Sequence, residues 1–425
     1  MAGSEFGFTT RATCLLAAGA TALLCGVLLG QVDLTRAGVL ALAVPLLSAV
    51  VVHRSRVLIA NRRRVEPEHA SSGDDVLVHL TITNRSRLGS GALMLEDQLP
   101  SSLPGRARFV LDSLASRESR TVTYRLNNLP RGRYRTGPLQ VRLTDPFHLI
   151  ALRRGVTATT DFVVRPVVEA LPALSPPLAH DLGDNSGSHS IGTHGADDAS
   201  TREYRTGDPL RKIHWRSTAR MGALMVRQEE RPWQGRATVV LDLRESAHVS
   251  RLSSGGADDR DERDRSSLEW AISAAASIGS HLLAAGRAVE LVSDVDAVRP
   301  LASHSTLAFV EHLAGVRGSR NASLAPARSV LASTARESAL IAVLGDVDPI
   351  SLQVLAECHP RGSVTPAVAL LIDTGTWAGS PASGPDSRCQ NAARALRAAG
   401  WRVRVIAHGT GIAEAWRDTL AAAPA

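Results

Sequence analysis

The chain has 425 residues and a formal net charge of +7, and because Lys212 is its only lysine, arginine carries almost all of the positive charge. A phosphate-binding loop that ends in Gly-Lys and a Schiff-base site both require a lysine, and Lys212 follows no glycine-rich loop. The length predicts two or three globular units. The four cysteines have no C-x-x-C spacing, so they favour neither a zinc ribbon nor a disulfide framework.

Two apolar runs stand at the N-terminus, and they predict a transmembrane hairpin over residues 1–53. Residues 12–30 form an uncharged run long enough to cross a bilayer as a helix, and residues 37–52 form a second run that contains Pro45. Five arginines follow within 54–64, whereas one lies in the link and one before the first run. The positive-inside rule therefore predicts a multi-pass protein of the inner (plasma) membrane, with its N-terminus and soluble domains in the cytoplasm. A cleaved signal peptide is the alternative.

Three soluble segments follow a basic juxtamembrane stretch at 54–74. Residues 75–165 read as short alternating strands separated by turn signals, which predicts a small β-sandwich. Residues 166–200 are rich in Pro, Gly, Ser and Asp and predict a linker. From 232 to 425, apolar β-type runs alternate with helical patterns, which predicts an α/β doubly wound domain around a mainly parallel sheet.

Acidic residues follow several of the predicted strands in the α/β domain. In a doubly wound sheet, ligands bind at the carboxyl ends of the strands, so these positions are the natural candidates for a site. The residues at strand ends are Asp242, Arg244, Ser246, Asp294, Asp346, Asp348 and Asp373.

Residues 201–231 combine a dense group of cations with a helix signal. Asp208 followed by Pro209 has the form of an N-cap and a first-turn proline, and Gly222 can end a helix as a left-handed residue. The spacing predicts a helix over 209–221 and a strand after it. Four of its side chains lie on a flank that can pack inward, while Trp215 supplies an amphipathic anchor; the four are Leu210, Ile213, Ser217 and Met221.

Lys212, Arg216 and Arg220 share one face of this helix at i, i+4 and i+8, where like charges repel. Two interpretations stay open: the cations pair internally with carboxylates, or they form an exposed surface for an anionic partner. We favour the first, because Arg–carboxylate forks often fix one element on another. Nucleic acid is not expected as a partner, because no aromatic stacking series or groove-binding motif accompanies the charges.

The stretch "REYRTGDPLRKIHWRSTARMGALMVRQEE", with the preceding "RGRYRTGPLQVRLTDPFHL" and the following strand "ATVVLDLRESAH", resembles the bacterial domain of unknown function 58 family. Its most specific part runs from 204 to 227. Ten residues of this region either match the family's order or are expected to bind a partner or to stabilise the motif. They are Tyr204, Gly207, Asp208, Pro209, Lys212, His214, Trp215, Arg216, Ala219 and Arg220.

The resemblance implies two N-terminal membrane helices and a C-terminal domain of the von Willebrand factor A type. It also implies a MoxR-type AAA+ ATPase and a transglutaminase-like membrane protein as partners. The A-type fold often holds Mg²⁺ through a D-x-S-x-S turn, which implies a site at Asp242, Ser246 and Asp346. Here Arg244 replaces the middle hydroxyl, so we expect no cofactor, with Mg²⁺ left as the alternative.

The sequence therefore predicts a membrane-anchored cytoplasmic adaptor that works with an AAA+ ATPase in assembly or cell-envelope processes. A module that binds anionic lipid or another polyanion through the juxtamembrane arginines and the basic helix is the alternative. An enzyme with His214 as base, oriented by Asp208 or a strand-end aspartate, is a third hypothesis. No nucleophile elbow, zincin motif or Cys/His arrangement supports that third hypothesis.

Overall fold

The computed structural model describes residues 4–54, 59–87, 89–90, 92–100, 103, 106–144, 147, 149–173, 201–203, 215–227, 236–250, 266–295, 301–335, 338–359, 365–381, 384 and 387–421. The chain divides into two compact units, Met1–Arg165 and Pro166–Ala425. Both contain helices and sheets, so the mixed helix-and-sheet architecture predicted from the sequence is confirmed at that level.

The first unit begins with strand β1 (Ser4–Phe8) and two apolar helices, α1 (Thr10–Leu28) and α2 (Val32–Arg54). Both helices are long and apolar enough to cross a membrane. The second begins five residues before the predicted position, because Gly30 takes a left-handed conformation (φ +66°) and turns the chain within a short link.

Glycines let the two helices approach closely. A Cβ atom placed on Gly38 would lie 2.6 Å from the backbone nitrogen of Leu23, and one placed on Gly26 would lie 2.6 Å from that of Thr35. Such small-residue contacts are typical of helices that pack in a membrane, where backbones gain van der Waals contact by close approach.

The remaining strands of the first unit pair in the orders β1-β10-β9-β5-β6, β2-β4-β7 and β3-β11-β8 within the described residues. Pairing is antiparallel except between β3 and β11. The bounds are β2 (Ile59–Glu66), β3 (Ala70–Ser71), β4 (Val76–Asn84), β5 (Leu93–Asp97), β6 (Ala107–Leu111), β7 (Ser119–Leu126), β8 (Gly132–Thr136), β9 (Leu139–Thr144), β10 (Ile150–Val156) and β11 (Thr160–Arg165).

Strand β4 shows why these sheets stack. Its residues alternate between buried and half-buried, so Leu80 and Ile82 point to one face of the sheet. They pack against Leu93 and Leu95 of β5 and against residues of β9 and β10 in the neighbouring sheet. The two layers therefore share an apolar core.

A buried ion pair joins three strands of this unit. Arg63, on β2, donates from Nε to Asp97 Oδ2 (3.0 Å) and from Nη2 to Oδ1, and both side chains are almost fully buried. The hydroxyl of Tyr124, on β7, donates to the same carboxylate at 2.7 Å. Strand β2 lies within the segment interpreted from sequence as juxtamembrane, and Arg63 is fixed inside the unit.

The second unit begins with the short hairpin β12 (Thr201–Glu203) and β13 (Met225–Arg227), which encloses helix α3 (Trp215–Met221). Its main sheet has the order β16-β15-β14-β17-β18-β19 within the described residues. Neighbours are parallel except β16, which runs antiparallel to β15. The bounds are β14 (Arg236–Leu241), β15 (Ala288–Ser293), β16 (Leu301–Ser303), β17 (Ala339–Leu344), β18 (Ala367–Ile372) and β19 (Arg402–Ile406).

Helices cover both faces of this sheet, which explains why β17 and β18 are buried along their whole length. One apolar core holds residues of α4 (Ser267–Ala284), α5 (Thr306–Gly315), α8 (Thr374–Trp377) and α10 (Ile412–Ala421). The other holds residues of α6 (Arg328–Thr334), α7 (Pro349–Cys358) and α9 (Arg388–Ala398). The carboxyl ends of the parallel strands lie at one edge, between these two layers.

Candidate functional site

Acidic residues stand at the carboxyl ends of the parallel strands, as the sequence predicted. Asp242 follows β14, Asp294 follows β15, and Asp346 and Asp348 follow β17. All four surround or neighbour the side chain of Arg244, and we call these five residues the strand-end cluster.

Arg244 binds Asp242 in a two-point fork. Its Nε donates to Oδ1 at 2.9 Å and its Nη2 donates to Oδ2 at 2.7 Å, and both residues are almost completely buried. Backbone amides complete the shell of this carboxylate, since Arg244 N lies 3.2 Å from Oδ1 and Gly345 N lies 3.3 Å from Oδ2. Both oxygens of Asp242 are therefore engaged within the protein.

The same guanidinium reaches three further oxygens. Its Nη1 donates to Asp348 Oδ2 and to the carbonyl of Ala322 (3.4 Å), and its Nη2 donates to the carbonyl of Asp346 at 3.1 Å. Burial by itself lowers the pKa of Arg244, but the hydrogen bonds and charges of Asp242 and Asp348 outweigh it and raise the pKa above its ordinary value. The side chain is thus a permanent cation inside an all-oxygen shell.

Asp348 has a second role as the N-cap of α7. Its Oδ1 accepts from the backbone nitrogens of Ile350 (2.9 Å) and Ser351 (3.0 Å), and its Oδ2 accepts from the Ser351 hydroxyl. Burial raises the pKa of Asp348, but these bonds to Ser351, together with the charge of Arg244, lower it below the usual range. The ion pair therefore ties the β14 loop to the start of a helix.

Asp294 holds a neighbouring loop rather than the guanidinium. Its Oδ1 accepts from the backbone nitrogen of Leu243 at 3.2 Å, and its Oδ2 accepts from the Ser319 hydroxyl and from Asn321 Nδ2 (3.1 Å). Ser319 also pairs with the β14 loop through its backbone. Sequence reasoning did not find Ser319 or Asn321, because they lie outside any strand-end position and belong to no motif.

His248 extends this hydrogen-bonded network toward helix α4. Its Nε2 lies 2.9 Å from the carbonyl of Asp242, which can only accept, so this nitrogen carries the proton. Its Nδ1 therefore accepts from the Ser267 hydroxyl at 3.1 Å, and the oxygen of that hydroxyl accepts from Val249 N at 2.9 Å. Burial is the main cause that lowers the pKa of His248, so the ring is neutral at pH 7.

A Mg²⁺ site at Asp242, Ser246 and Asp346 does not fit this geometry. The guanidinium of Arg244 takes both oxygens of Asp242, the carboxylate of Asp346 binds Arg388 Nη1 at 2.7 Å, and Ser246 is exposed. Mg²⁺ needs several oxygens in octahedral array. Among the described residues no group of three His, Cys, Asp or Glu side chains is placed to hold a metal ion.

The predicted family motif is described only from Trp215 onward. Its other predicted residues lie outside the described part, namely Tyr204, Gly207, Asp208, Pro209, Lys212 and His214, and so does the side chain of Arg216. Gly222 does end the helix in a left-handed conformation (φ +71°), and its N–H donates to the carbonyl of Thr218 at 3.0 Å. The predicted C-terminus of this helix is therefore confirmed.

The described part of the motif presents apolar side chains to solvent. Trp215 is 69% exposed, Met221 68% and Leu224 43%. The expectation that Met221 packs inward is wrong, because the helix ends at that residue and the chain turns away at Gly222. Arg220 is exposed and forms no ion pair with another described residue. We call Trp215, Arg220, Met221 and Leu224 the motif patch.

The fold and the site define a chain with two apolar N-terminal helices, a layered β unit and an α/β unit that has a buried arginine–aspartate cluster. Residues 200–358 match the family described as "Protein of unknown function DUF58", so the chain carries a region of this family and the resemblance is confirmed there. No curated protein matches the chain.

Similar solved structures have low identity. The CARDB domain of a Pyrococcus furiosus protein, in complex with di-metal ions, is 14% identical over 25% of this chain and 93% of its own (TM-score 0.19). The putative ApaA protein from Bordetella pertussis is 12% identical over 25% and 93% (TM-score 0.20). Pseudomonas fluorescens alkylpurine DNA glycosylase AlkC is 13% identical over 31% and 38% (TM-score 0.17). At these TM-scores no fold or function is transferred.

Proposed function

We propose that the chain is a membrane-anchored interaction protein whose soluble part lies in the cytoplasm and docks a partner protein. The observation that carries this proposal is the motif patch, which exposes a tryptophan, a methionine and a leucine beside an exposed arginine within the matched family region. Tryptophan, methionine and arginine are enriched at protein interfaces, and tryptophan and arginine dominate their binding energy. The two apolar N-terminal helices supply the anchor.

The strand-end cluster supports a docking role rather than turnover. Its charged groups bind one another or the backbone of a neighbouring loop, so the loops after β14, β15 and β17 are held in one arrangement. A preorganised face lowers the entropy lost when a partner binds. The strand order and the helices on both faces are those expected for the doubly wound von Willebrand factor A type, which we propose as the fold of this unit.

We propose a MoxR-type AAA+ ATPase as the partner, in assembly or cell-envelope processes, with a transglutaminase-like membrane protein as a further associate. This choice comes from the family resemblance, and the net charge of +7 is compatible with an acidic docking surface on the partner.

A pull-down from solubilised membranes tests this proposal. Full-length protein with Trp215→Ser and Met221→Ser is expected to retain about tenfold less of the ATPase, since each buried anchor of an interface is typically worth a kilocalorie per mole or more. The matched control carries Leu307→Ser and Val168→Ser, which remove two exposed apolar side chains elsewhere in the same unit. Equal retention by the two double variants would reject the motif patch as the docking site.

The alternative is a module that binds anionic lipid. Arg62 and Arg64 are exposed on β2 and favour it, whereas Arg63 is buried with Asp97 and cannot contribute. Flotation with phosphatidylglycerol vesicles at low and high salt separates the two functions, because lipid attraction is lost at high salt. The hypothesis of an enzyme that uses His214 is tested by hydrolysis screens of wild type against His214→Ala.

A further inference from the structure

The first unit contains a cleft that the proposed docking function does not use. It lies between β6 and β7, each of which is the last strand of its sheet within the described residues. Its volume is about 370 Å³, within the range of sites that bind small molecules. We call it the edge cleft.

The floor of the edge cleft is apolar. Leu99, Leu103, Leu126 and Leu129 line it, and the last two are almost fully buried in the core below. One wall is formed by Phe109 and Tyr124, whose rings stack with centroids 5.6 Å apart. This lining favours a ligand whose main part is aliphatic or aromatic.

Tyr124 contributes its ring to this wall, while its hydroxyl is held elsewhere. The hydroxyl donates to Asp97, and burial together with the charge of Asp97 raises the pKa of Tyr124. Arg63 fixes Asp97 in turn. The wall is therefore rigid before any ligand enters, which lowers the entropic cost of binding.

The rim of the edge cleft is cationic. Arg106, Arg108 and Arg125 line it, and the lining includes no acidic residue. Arg108 pairs with Glu96 at 3.1 Å, and Arg125 lies 3.8 Å from Asp75, whereas Arg106 forms no ion pair with another described residue. A guanidinium is a planar donor fork that matches a carboxylate or phosphate.

We propose that the edge cleft binds an amphipathic anion, with its apolar body on the leucine floor and its carboxylate or phosphate on the arginine rim. The ligand is either a free fatty acid or a lipid that carries a single anionic group. Both ligands offer an apolar chain and one anionic group to the cleft. Because helices α1 and α2 of the same unit are apolar enough to cross a membrane, the protein can meet either ligand there. An acidic peptide could bind the arginines of the rim, but it would bury less apolar surface on the leucine floor.

Photolabelling of the full-length protein in phosphatidylcholine nanodiscs tests this inference. A diazirine-bearing dodecanoate is irradiated with the protein, and mass spectrometry maps the labelled residues. We expect labels between 99 and 129 that are displaced by dodecanoate and dodecyl phosphate but not by dodecanol. Two competitors of the photoprobe are then compared, namely phosphatidic acid built into the nanodiscs and dodecanoate added in solution. Stronger displacement by phosphatidic acid indicates a membrane lipid as the ligand, and stronger displacement by dodecanoate indicates a free fatty acid.

Substitutions of the rim give the matched comparison. Arg106→Ser and Arg125→Ser are expected to weaken labelling between 99 and 129 by about tenfold or more, because each removes a charged hydrogen bond to the head group. Arg120→Ser is the control, since it is exposed on the same strand β7 but lies outside the cleft. All three positions are exposed, so the variants should fold.

Three results would overturn the inference. The first is an absence of displaceable labelling between 99 and 129, and the second is equal displacement by dodecanol and dodecanoate. The third is displacement by an acidic peptide of alternating Glu and Leu in the absence of displacement by dodecanoate. Loss of labelling in Arg120→Ser to the same degree as in Arg106→Ser would also count against the rim, because it would reflect net charge alone.

Discussion

Arg244 is the residue on which the candidate site depends. A buried ion costs several kilocalories per mole to remove from water, and this cost is offset only when every polar group around it is paired. Here the guanidinium meets both oxygens of Asp242, one oxygen of Asp348 and two carbonyls. The cation that organises the strand ends is therefore part of the chain itself.

Arg244→Ser is expected to lower the free energy of unfolding of the second unit by about 3–5 kcal/mol, because it leaves Asp242 buried and without its cation. Denaturant unfolding of the full-length protein, followed by tryptophan fluorescence, measures this loss. All six tryptophans lie in that unit, so the signal reports on it alone.

Arg388→Ser is the control for that measurement. It removes the ion pair with Asp346, in which the arginine side chain is 76% exposed, so a change within about 1 kcal/mol is expected. EDTA should leave the wild-type curve unchanged, because a guanidinium and not a metal holds the carboxylates. A similar loss in both variants, or a wild type sensitive to EDTA, would contradict the role assigned to Arg244.

His248 makes the stability of the second unit depend on pH. Its folded pKa is lowered by burial, so below the unfolded value of about 6.5 the unfolded chain binds a proton more readily than the folded chain. Stability is therefore full above that pH and falls as the pH drops through it. His248→Gln keeps an N–H for the carbonyl of Asp242 and should make the slope between pH 7 and 5 shallower.

Part of the slope remains in that variant, because burial also lowers the pKa of His281 and His359. His304→Gln, at an exposed position, controls for the loss of one histidine. If His248→Gln and wild type have the same slope in urea unfolding, the neutral histidine is not coupled to folding.

At the scale of the element, glycines decide how closely helices pack. Gly26 and Gly38 bring α1 and α2 into backbone contact, and Gly279 of α4 lets the ring of Phe309 from α5 lie against the helix. A Cβ atom on Gly279 would be 2.1 Å from Phe309 Cε1, and Phe309 is fully buried. The packing of α4 on α5 therefore requires glycine at this position.

Gly279→Ala is expected to destabilise the second unit by about 1–3 kcal/mol, although alanine favours a helix by about 1 kcal/mol over glycine. The clash outweighs the propensity because a buried ring has no free space to move into. Phe309→Leu in the same chain should restore part of the loss, which tryptophan-detected unfolding can measure. A Gly279→Ala protein more stable than wild type would show that the helices can separate at little cost.

At the scale of the whole molecule, the orientation in the membrane determines which partners the soluble units can meet. Arginines dominate the segment after α2, so we predict that everything beyond residue 54 lies in the cytoplasm. Protease added to intact spheroplasts should leave the chain uncut, whereas protease added to inverted vesicles should digest it. Cleavage of the α/β unit in intact spheroplasts would exclude a cytoplasmic ATPase as its partner.

Sequence periodicity was sufficient to predict the two apolar helices, the buried parallel strands and the acidic residues that follow them, because each depends on local spacing of apolar side chains. It was also sufficient for the end of α3, since a left-handed turn there favours glycine. The sequence identified Arg244 as a departure from a metal-binding turn.

The tertiary structure decided which distant groups meet. Ser319 and Asn321 bind Asp294 of the strand-end cluster from a loop more than 20 residues away in sequence, and nothing in their local sequence marks them. The bond between Asp348 and Arg244, 104 residues apart, was likewise not predictable from either local segment. The edge cleft likewise exists only because the edge strands of two different sheets both line it. Contacts of this kind depend on chain crossings and layer packing, and these are set by the burial of the whole core rather than by any single segment.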